Sequence, residues 1–435
     1  MKLFGALIAF MLLATGPLRA EIDITEVTSP GGINAWLVQE ESIPFVALEL
    51  RFKGGASLDL PGKRGATNLM VGLLNEGAAD RDSRAFGERM EELAASFEFD
   101  VGDDAVSISA RFLTENRDEA LALLRDAITQ PRFDQDAIDR VKAQVVSVIR
   151  SDLQDPDNIV GKAFDRMVFG DHPYGSAIEG TEDSIAALTR DDLVEAHKGA
   201  LARDRIYVGA AGDISPEELA EILDKLLADL PETGTPQAAD VAVATEAGVT
   251  VVPFDVPQSV AIFGHAGIAR DDPDFFPAYV LNEILGGGGF DARLMEEVRE
   301  KRGLTYGVYS YLVPKDHAAL YLGRVSSAND RIAEAIDVIR DEWTKLAENG
   351  VTEEELATAK TYLTGAYPLR FDGNGPIANI LVGMQMDDLP ADYVNTRNAQ
   401  IEAITLDDIK RVAARVLKPE ALHFVVVGQP EGLDS

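Results

Sequence analysis

Cysteine is absent from all 435 residues. That excludes disulfides, a lipidated N-terminal cysteine and any thiol nucleophile, so the fold must hold by packing. Histidine is nearly as scarce, with His172, His197, His265, His317 and His423. No two of them are three or four residues apart and none precedes residue 172, which excludes a paired-imidazole metal site on one helix. Long apolar runs are missing after the first residues, so no later segment is expected to cross a bilayer. Positive charge is in deficit: 40 Lys and Arg stand against 74 Asp and Glu, a net charge of -34. Such a surface repels nucleic acid and anionic lipid. It serves solubility, as acidic surfaces commonly do, or attracts cationic peptides.

What is present divides the chain. Lys2, the apolar run Leu3 to Leu13 and the small residue ending Leu18-Arg19-Ala20 form the pattern of a secretory signal peptide over residues 1–20. Its loss removes Lys2 and Arg19 and no acid, two positive charges fewer, which leaves -36 on an exported chain. Apolar residues make up 46% of the sequence, enough for more than one core at this length.

The two halves repeat. Thr189-Arg190-Asp191-Asp192-Leu193 leads through a helix to the apolar run ending at Gly212, and Thr405-Leu406-Asp407-Asp408-Ile409 leads to the run ending at Gly428. Both landmarks lie 216 residues apart. Each Thr is placed to cap a helix, and each Gly to end a strand at a turn. Phe133-Asp134-Gln135-Asp136 and Val351-Thr352-Glu353-Glu354 open a second pair of helices at an offset of 218. This is the pattern of duplicated domains, not of a solenoid. The polar stretch Pro231-Glu232-Thr233-Gly234-Thr235-Pro236 separates them. The expected organisation is residues 21–230, a linker over 231–245, and residues 246–435.

Leu48, Leu50 and Phe52 alternate with charged residues as in a half-buried strand. Phe97 to Val101, then Gly102-Asp103-Asp104, then Val106 to Phe112 read as a hairpin. Ile138, Val141, Val145 and Val148 recur at helical spacing, which turns Val148 inward. The expected fold class is α+β: in each domain a mostly antiparallel sheet with helices on one face.

A zinc helix of the H-x-x-E-H type needs imidazoles at i and i+4 and a carboxylate at i+3, because those positions share a face. The helix expected around Gly65-Ala66-Thr67-Asn68-Leu69-Met70-Val71-Gly72 contains neither His nor Glu and so carries no such motif. No serine nucleophile signature replaces such a site. Gly286-Gly287-Gly288-Gly289 lacks the Lys-Ser/Thr of a phosphate loop and reads as a movable loop.

Several motifs carry a resemblance over roughly Ile22 to Gly428: Gly54-Gly55-Ala56-Ser57, Gly62-Lys63-Arg64-Gly65, Phe169-Gly170-Asp171-His172-Pro173-Tyr174-Gly175, and Leu294 through Tyr306. With them the chain resembles the pitrilysin/insulinase metallopeptidases, in particular the two-domain members of the mitochondrial-processing-peptidase type. The resemblance implies that Asn68, Val71, Gly72 and Val148 occupy the positions of two zinc-binding histidines, the general base and the third zinc ligand. His172 then reads as structural, within a turn set by Pro173 and Gly175. The family's Arg/Tyr pair falls on Arg299 and Tyr306, which hold the substrate main chain beside a zinc ion; the neighbouring Arg302 competes for the Arg role. Two-domain members pair into a four-domain chamber in which one chain carries zinc and the other the Arg/Tyr pair. By that resemblance this chain has no cofactor of its own and is the substrate-binding subunit of an exported, periplasmic heterodimeric zinc endopeptidase, its partners being a zinc-bearing homologue and peptides. The alternatives are a structural pseudopeptidase and a stand-alone enzyme with an unusual metal site.

Overall fold

The structure, a computed structural model, describes residues 22–287, 289 and 291–433. The signal-peptide expectation on residues 1–20 lies outside the described residues. The first half runs β1 (Thr25–Thr28), β2 (Asn34–Gln39), β3 (Phe45–Lys53), α1 (Ala66–Val71), a short hairpin of β4 (Gly77–Ala78) and β5 (Arg81–Asp82), α2 (Ser83–Glu92), β6 (Ser96–Val101), β7 (Ala105–Leu113), α3 (Arg117–Thr129), α4 (Gln135–Asp152), α5 (Pro156–Phe169), α6 (Glu182–Ala187), α7 (Arg190–Ala200), β8 (Ile206–Gly212) and α8 (Pro216–Leu227). The second half runs β9 (Gly248–Pro253), β10 (Gln258–Ala266), α9 (Phe275–Gly286), a π-helix over Met295–Glu300, β11 (Val308–Lys315), β12 (Ala318–Ala328), α10 (Ile332–Asn349), α11 (Glu353–Ala366), α12 (Asn374–Met386), α13 (Tyr393–Ala403), α14 (Leu406–Val416) and β13 (His423–Gly428).

The duplication is visible in the strand order. The first sheet reads β6-β7-β3-β8-β2-β1 and the second β11-β12-β10-β13-β9. Each is antiparallel except for one parallel pair, β2 with β8 and β9 with β13. β1 is an addition to the first. Thr189 and Thr405 cap α7 and α14 as their sequence positions require, each completed into a capping box by the Asp three residues on. The hairpin pairs Phe97 with Ala110, Phe99 with Ile108 and Val101 with Val106.

One face of each sheet is covered by its own helices, which is the α+β layering the sequence implies. The other face takes a helix from the other half. On α5, Val160, Phe164 and Val168 pack in one apolar cluster with Val260, Ile262, Leu322, Val425 and Val427 of the second sheet. In return, α12 lies on the first sheet, with Leu381 and Met384 beside Trp36, and Ala378 beside Ala47 and Ala211. The small residues of β8 permit this approach, since a side chain at Gly209 would meet Val382 Cγ2 at 2.9 Å and Leu381 Cβ at 3.1 Å. Pro156 and Asn374 open these two helices 218 residues apart, the same interval as α4 and α11. The exchanged helices are therefore equivalent elements of the repeat.

The tips of the equivalent hairpins β6–β7 and β11–β12 meet between the halves. Asp103 pairs with Lys315, whose ammonium also sits 4.1 Å over the Tyr174 ring. The Tyr174 hydroxyl donates to Asp104 and accepts from the His317 amide at 3.2 Å. His172 caps the turn that places Tyr174: its Nδ1 accepts from Tyr174 N at 3.2 Å, so its Nε2 donates to Ala239 O at 2.9 Å. That bond arrangement makes His172 a neutral structural group, and burial lowers its pKa in the same sense. Residues 231–247 form neither helix nor strand, yet they are stitched down, Val241 N donating to His317 O and Thr245 Oγ1 to Ala421 O.

Asp165 of α5 is half-buried at this junction, and burial pushes its carboxyl up to about 6, against the opposing pull of Lys315. A pKa raised above the unfolded value means that the folded state binds the proton more tightly, so the contribution is full below about pH 4 and is lost as pH rises through 6. Asp165→Asn is expected to raise stability on the order of 2 kcal/mol at pH 8 and to change little at pH 4. Urea denaturation at the two pH values checks this; an equal effect at both would refute it.

Candidate functional site

The corner at which the resemblance puts the metal helix is built by α1. The Asp59 carboxylate accepts from Gly65 N, Thr67 N and Thr67 Oγ1, which satisfies the start of this six-residue helix. Arg64 fastens the same corner by donating to Ala56, Ser176 and Ala177 carbonyls. Thr67, Leu69, Met70 and Val71 are buried, Asn68 is half-buried, and Gly72 ends the helix in the open. α4 passes alongside, with Val141 Cγ1 3.4 Å from where a side chain on Gly72 would begin.

Val148 corrects the sequence expectation. It is 48% exposed, not part of the apolar stripe, while Ile149 is 5% exposed and belongs to it. At roughly 100° per residue, Ile149 lies about 20° from the direction of Ile138, whereas Val148 lies about 80° away. The apolar set therefore runs Ile138, Val141, Val145, Ile149, and no core side chain fills the place of a third ligand.

The residues present do not fit zinc. Asn68 is an amide, Val71 is an aliphatic side chain turned into the core, Gly72 has no side chain, and Val148 has no donor atom. Among the described residues no group of three or more His, Cys, Asp and Glu lies close enough to hold a metal. The histidines are occupied elsewhere: His265, fully buried, accepts from Trp343 Nε1 at 3.0 Å and is lowered to about 4 by burial. Excess EDTA is expected to leave the melting temperature of the isolated chain unchanged, and a downward shift would contradict this reading. Restoring Asn68→His, Val71→Glu and Gly72→His together is expected not to confer tight zinc binding in equilibrium dialysis, because position 148 still supplies no carboxylate.

The second place is built by the turn after the π-helix. Met295 and Val298 anchor that helix in the core. Its wide turns show in Lys301 N donating to Glu296 O at 2.9 Å and Leu304 N to Val298 O at 2.9 Å. Arg299 sits in the last turn, 3.4 Å from Glu300, and Gly303 closes the helix with φ near 60° while donating to Arg299 O at 2.7 Å. Arg302 turns back onto Glu297, bonding its carbonyl at 2.6 Å and its carboxylate at 2.7 Å.

The β-prone residues that follow Tyr306 suggest a strand running from it through Tyr311, and the structure differs. The strand begins at Val308, and Tyr306 stands in the bend before it, 87% exposed. Its neighbours explain the position. Arg331 donates to Arg302 O and Gly303 O, Ser327 Oγ to Leu304 O, and Thr305 Oγ1 lies 2.6 Å from Ser326 O while accepting from Gly307 N. The bend is tied on both sides and its aromatic ring is held in water. A large aromatic so placed by a well-bonded turn is a mark of recognition surfaces.

The glycine run is only partly loop. Gly286 is the buried last residue of α9 and Gly287 caps it; Gly288 and Phe290 lie outside the described residues. Any side chain at Gly287 would collide with Glu283. Burial pushes the half-buried Glu283 carboxyl up to about 7. Sequence reasoning passed over Glu283, although a lone acid in the apolar helix Phe275–Gly286 was a signal for it.

Comparison with known proteins agrees with this geometry. Residues 35–182 match the family model described as insulinase, peptidase family M16, and residues 187–363 match the peptidase M16 inactive domain. The chain belongs to peptidase family M16. Within that family it is a zinc-less member that is not a peptidase by itself, as its match to the inactive-domain model and its likeness to an inactive-domain structure and a non-peptidase homolog indicate. A crystal structure of a peptidase M16 inactive domain from Pseudomonas fluorescens superimposes with a TM-score of 0.88 at 28% identity, covering 95% of this chain and 99% of that one. The Helicobacter pylori non-peptidase homolog YmxG is 26% identical over 90% of this chain and 91% of its own length. An uncharacterized zinc protease of Streptomyces coelicolor is 25% identical over 91% of this chain and 87% of its own.

Proposed function

We propose that this chain is the substrate-binding subunit of an exported heterodimeric zinc endopeptidase, whose partner is a homologous chain carrying the metal. The observation that supports this most is the contrast within one molecule: the place for zinc holds no ligand, while Tyr306 is held out in water by a pinned turn beside the Arg299 helix. A guanidinium and a phenol both donate to peptide carbonyls, which binds a main chain without reading its sequence. Among the described residues no helix is long and apolar enough to cross a membrane. The signal-peptide pattern of residues 1–20 supports a periplasmic location.

The test is reconstitution with a homologous chain that carries an intact H-x-x-E-H helix. Peptide cleavage is expected only from the mixture and is expected to stop on chelation. Cleavage by the zinc-bearing chain at the same rate without this one would favour the second reading, a structural pseudopeptidase.

A further inference from the structure

The first half carries a cavity that the lost metal chemistry does not explain. It opens between the end of α4, α5 and the stretch joining α5 to α6, and its volume is about 570 Å³. That size falls within the range of small-ligand sites. Ile149 and Leu153 of α4 line it, and Leu153 is 59% exposed, so an apolar surface lies open to water there. Small residues leave it room: nothing stands within 4 Å of where a side chain on the lining residue Gly62 would begin. The cavity adjoins the corner described above, since Arg64 leads into α1 and Ile149 follows Val148 on α4.

Its charge is of the scarce sign. In a chain of net charge -34, three cations, Arg64, Lys162 and Arg166, line it against one acid, Glu182. Glu182 is already engaged, since Arg150 donates to its two oxygens at 3.1 and 2.6 Å. The three cations differ in what they hold. Arg64 is committed to three carbonyls and has Asp59 at 3.8 Å and Asp103 at 3.6 Å, so it is a fixed wall. Lys162 shares its charge with Asp152 at 2.9 Å. Arg166 lies one turn further along the same side of α5 and donates to Gly170 O at 2.7 Å. Its carboxylate partner, Asp171 at 3.1 Å, is 97% exposed, and a pair so placed in water is weak. The Arg166 fork can therefore take up a second carboxylate.

We propose that this cavity binds the C-terminal residue of a peptide, its carboxylate on Arg166 and Lys162 and its apolar side chain on Leu153. A C-terminal residue carries an acid and a side chain on one carbon, which matches a cationic wall and an apolar floor within one cavity. The overall negative charge of the chain does not prevent this, because at physiological salt exposed charges more than about 8 Å away are largely screened. The inference stands apart from the Arg/Tyr role: it concerns the first half and is read on this chain alone, without turnover.

The test is calorimetric titration of the mature full-length chain with acetyl-Ala-Ala-Leu as the free acid. Three relatives accompany it: its C-terminal amide, acetyl-Ala-Ala-Gly as the free acid, and acetyl-Ala-Glu-Leu amide, which carries its carboxylate on a side chain. Inorganic phosphate is titrated as well. The Leu-ended acid is expected to bind at least about tenfold more tightly than its amide, with the Gly-ended acid between them. Arg166→Gln and Leu153→Asp are each expected to weaken the acid at least about fivefold while leaving the melting temperature unchanged, since both side chains are exposed. Equal binding of acid and amide, no binding of the acid at millimolar concentration, or full affinity in both variants would overturn the proposal. So would an acetyl-Ala-Glu-Leu amide as tight as the free acid, which would make the site a reader of acidic side chains, or phosphate as tight as the peptide, which would make it a plain anion site.

Discussion

Arg299→Ala is expected to slow peptide cleavage by the reconstituted pair about 10- to 100-fold, with Tyr306→Phe somewhat milder, while both variants still assemble. A lost charge-assisted bond to a substrate carbonyl is worth on the order of 1–3 kcal/mol, which sets that range. Arg299 lies on a helix whose closure depends on main-chain bonds and on the buried Met295 and Val298, so removing its guanidinium leaves the helix in place. Tyr306 is 87% exposed, and losing its hydroxyl disturbs no internal contact of the chain. Steady-state kinetics, with size-exclusion chromatography for assembly, separates binding from folding. Full turnover in both variants would remove the functional reading and leave a scaffold.

Phe164→Ala is expected to cost about 3–5 kcal/mol, the largest stability effect of any substitution considered, because it empties a core position that is 1% exposed. The more telling outcome is the form of the transition. Phe164 belongs by sequence to the first half and packs on the sheet of the second. Calorimetry should therefore show one cooperative unfolding step, in wild type and variant alike, with its midpoint lowered. Two separated transitions, only one of them displaced, would contradict the interlocking of the halves.

Much of this was legible beforehand because it is local. Thr189 and Thr405 announce helix starts through their own hydroxyls, and the alternation of Phe97, Phe99 and Val101 marks a strand whatever lies around it. The absence at positions 68, 71 and 72 is likewise a property of the residues themselves. What escaped is what depends on partners. The spacing of Val160, Phe164 and Val168 shows that one side of α5 is buried, but not that the burying surface belongs to the other half. Val148 and Ile149 are both apolar, and a three-residue step from Val145 chose the wrong one by one position. Tyr306 reads like the start of a strand because β-prone residues follow it; the bonds of Arg331 and Ser327 that hold the bend come from 21 to 25 residues downstream. The half-buried position of Glu283 under Gly287 needed the packing of α9 to be seen.

The trade of α5 for α12 has a bearing on how such a molecule can be taken apart. A fragment ending near residue 230 would display α5 with nothing to rest on, and would leave Trp36, Ala47 and Ala211 bare where α12 had been. The complementary fragment would be stripped in the same two ways. Severed pieces should clump when made singly and recover only when produced side by side.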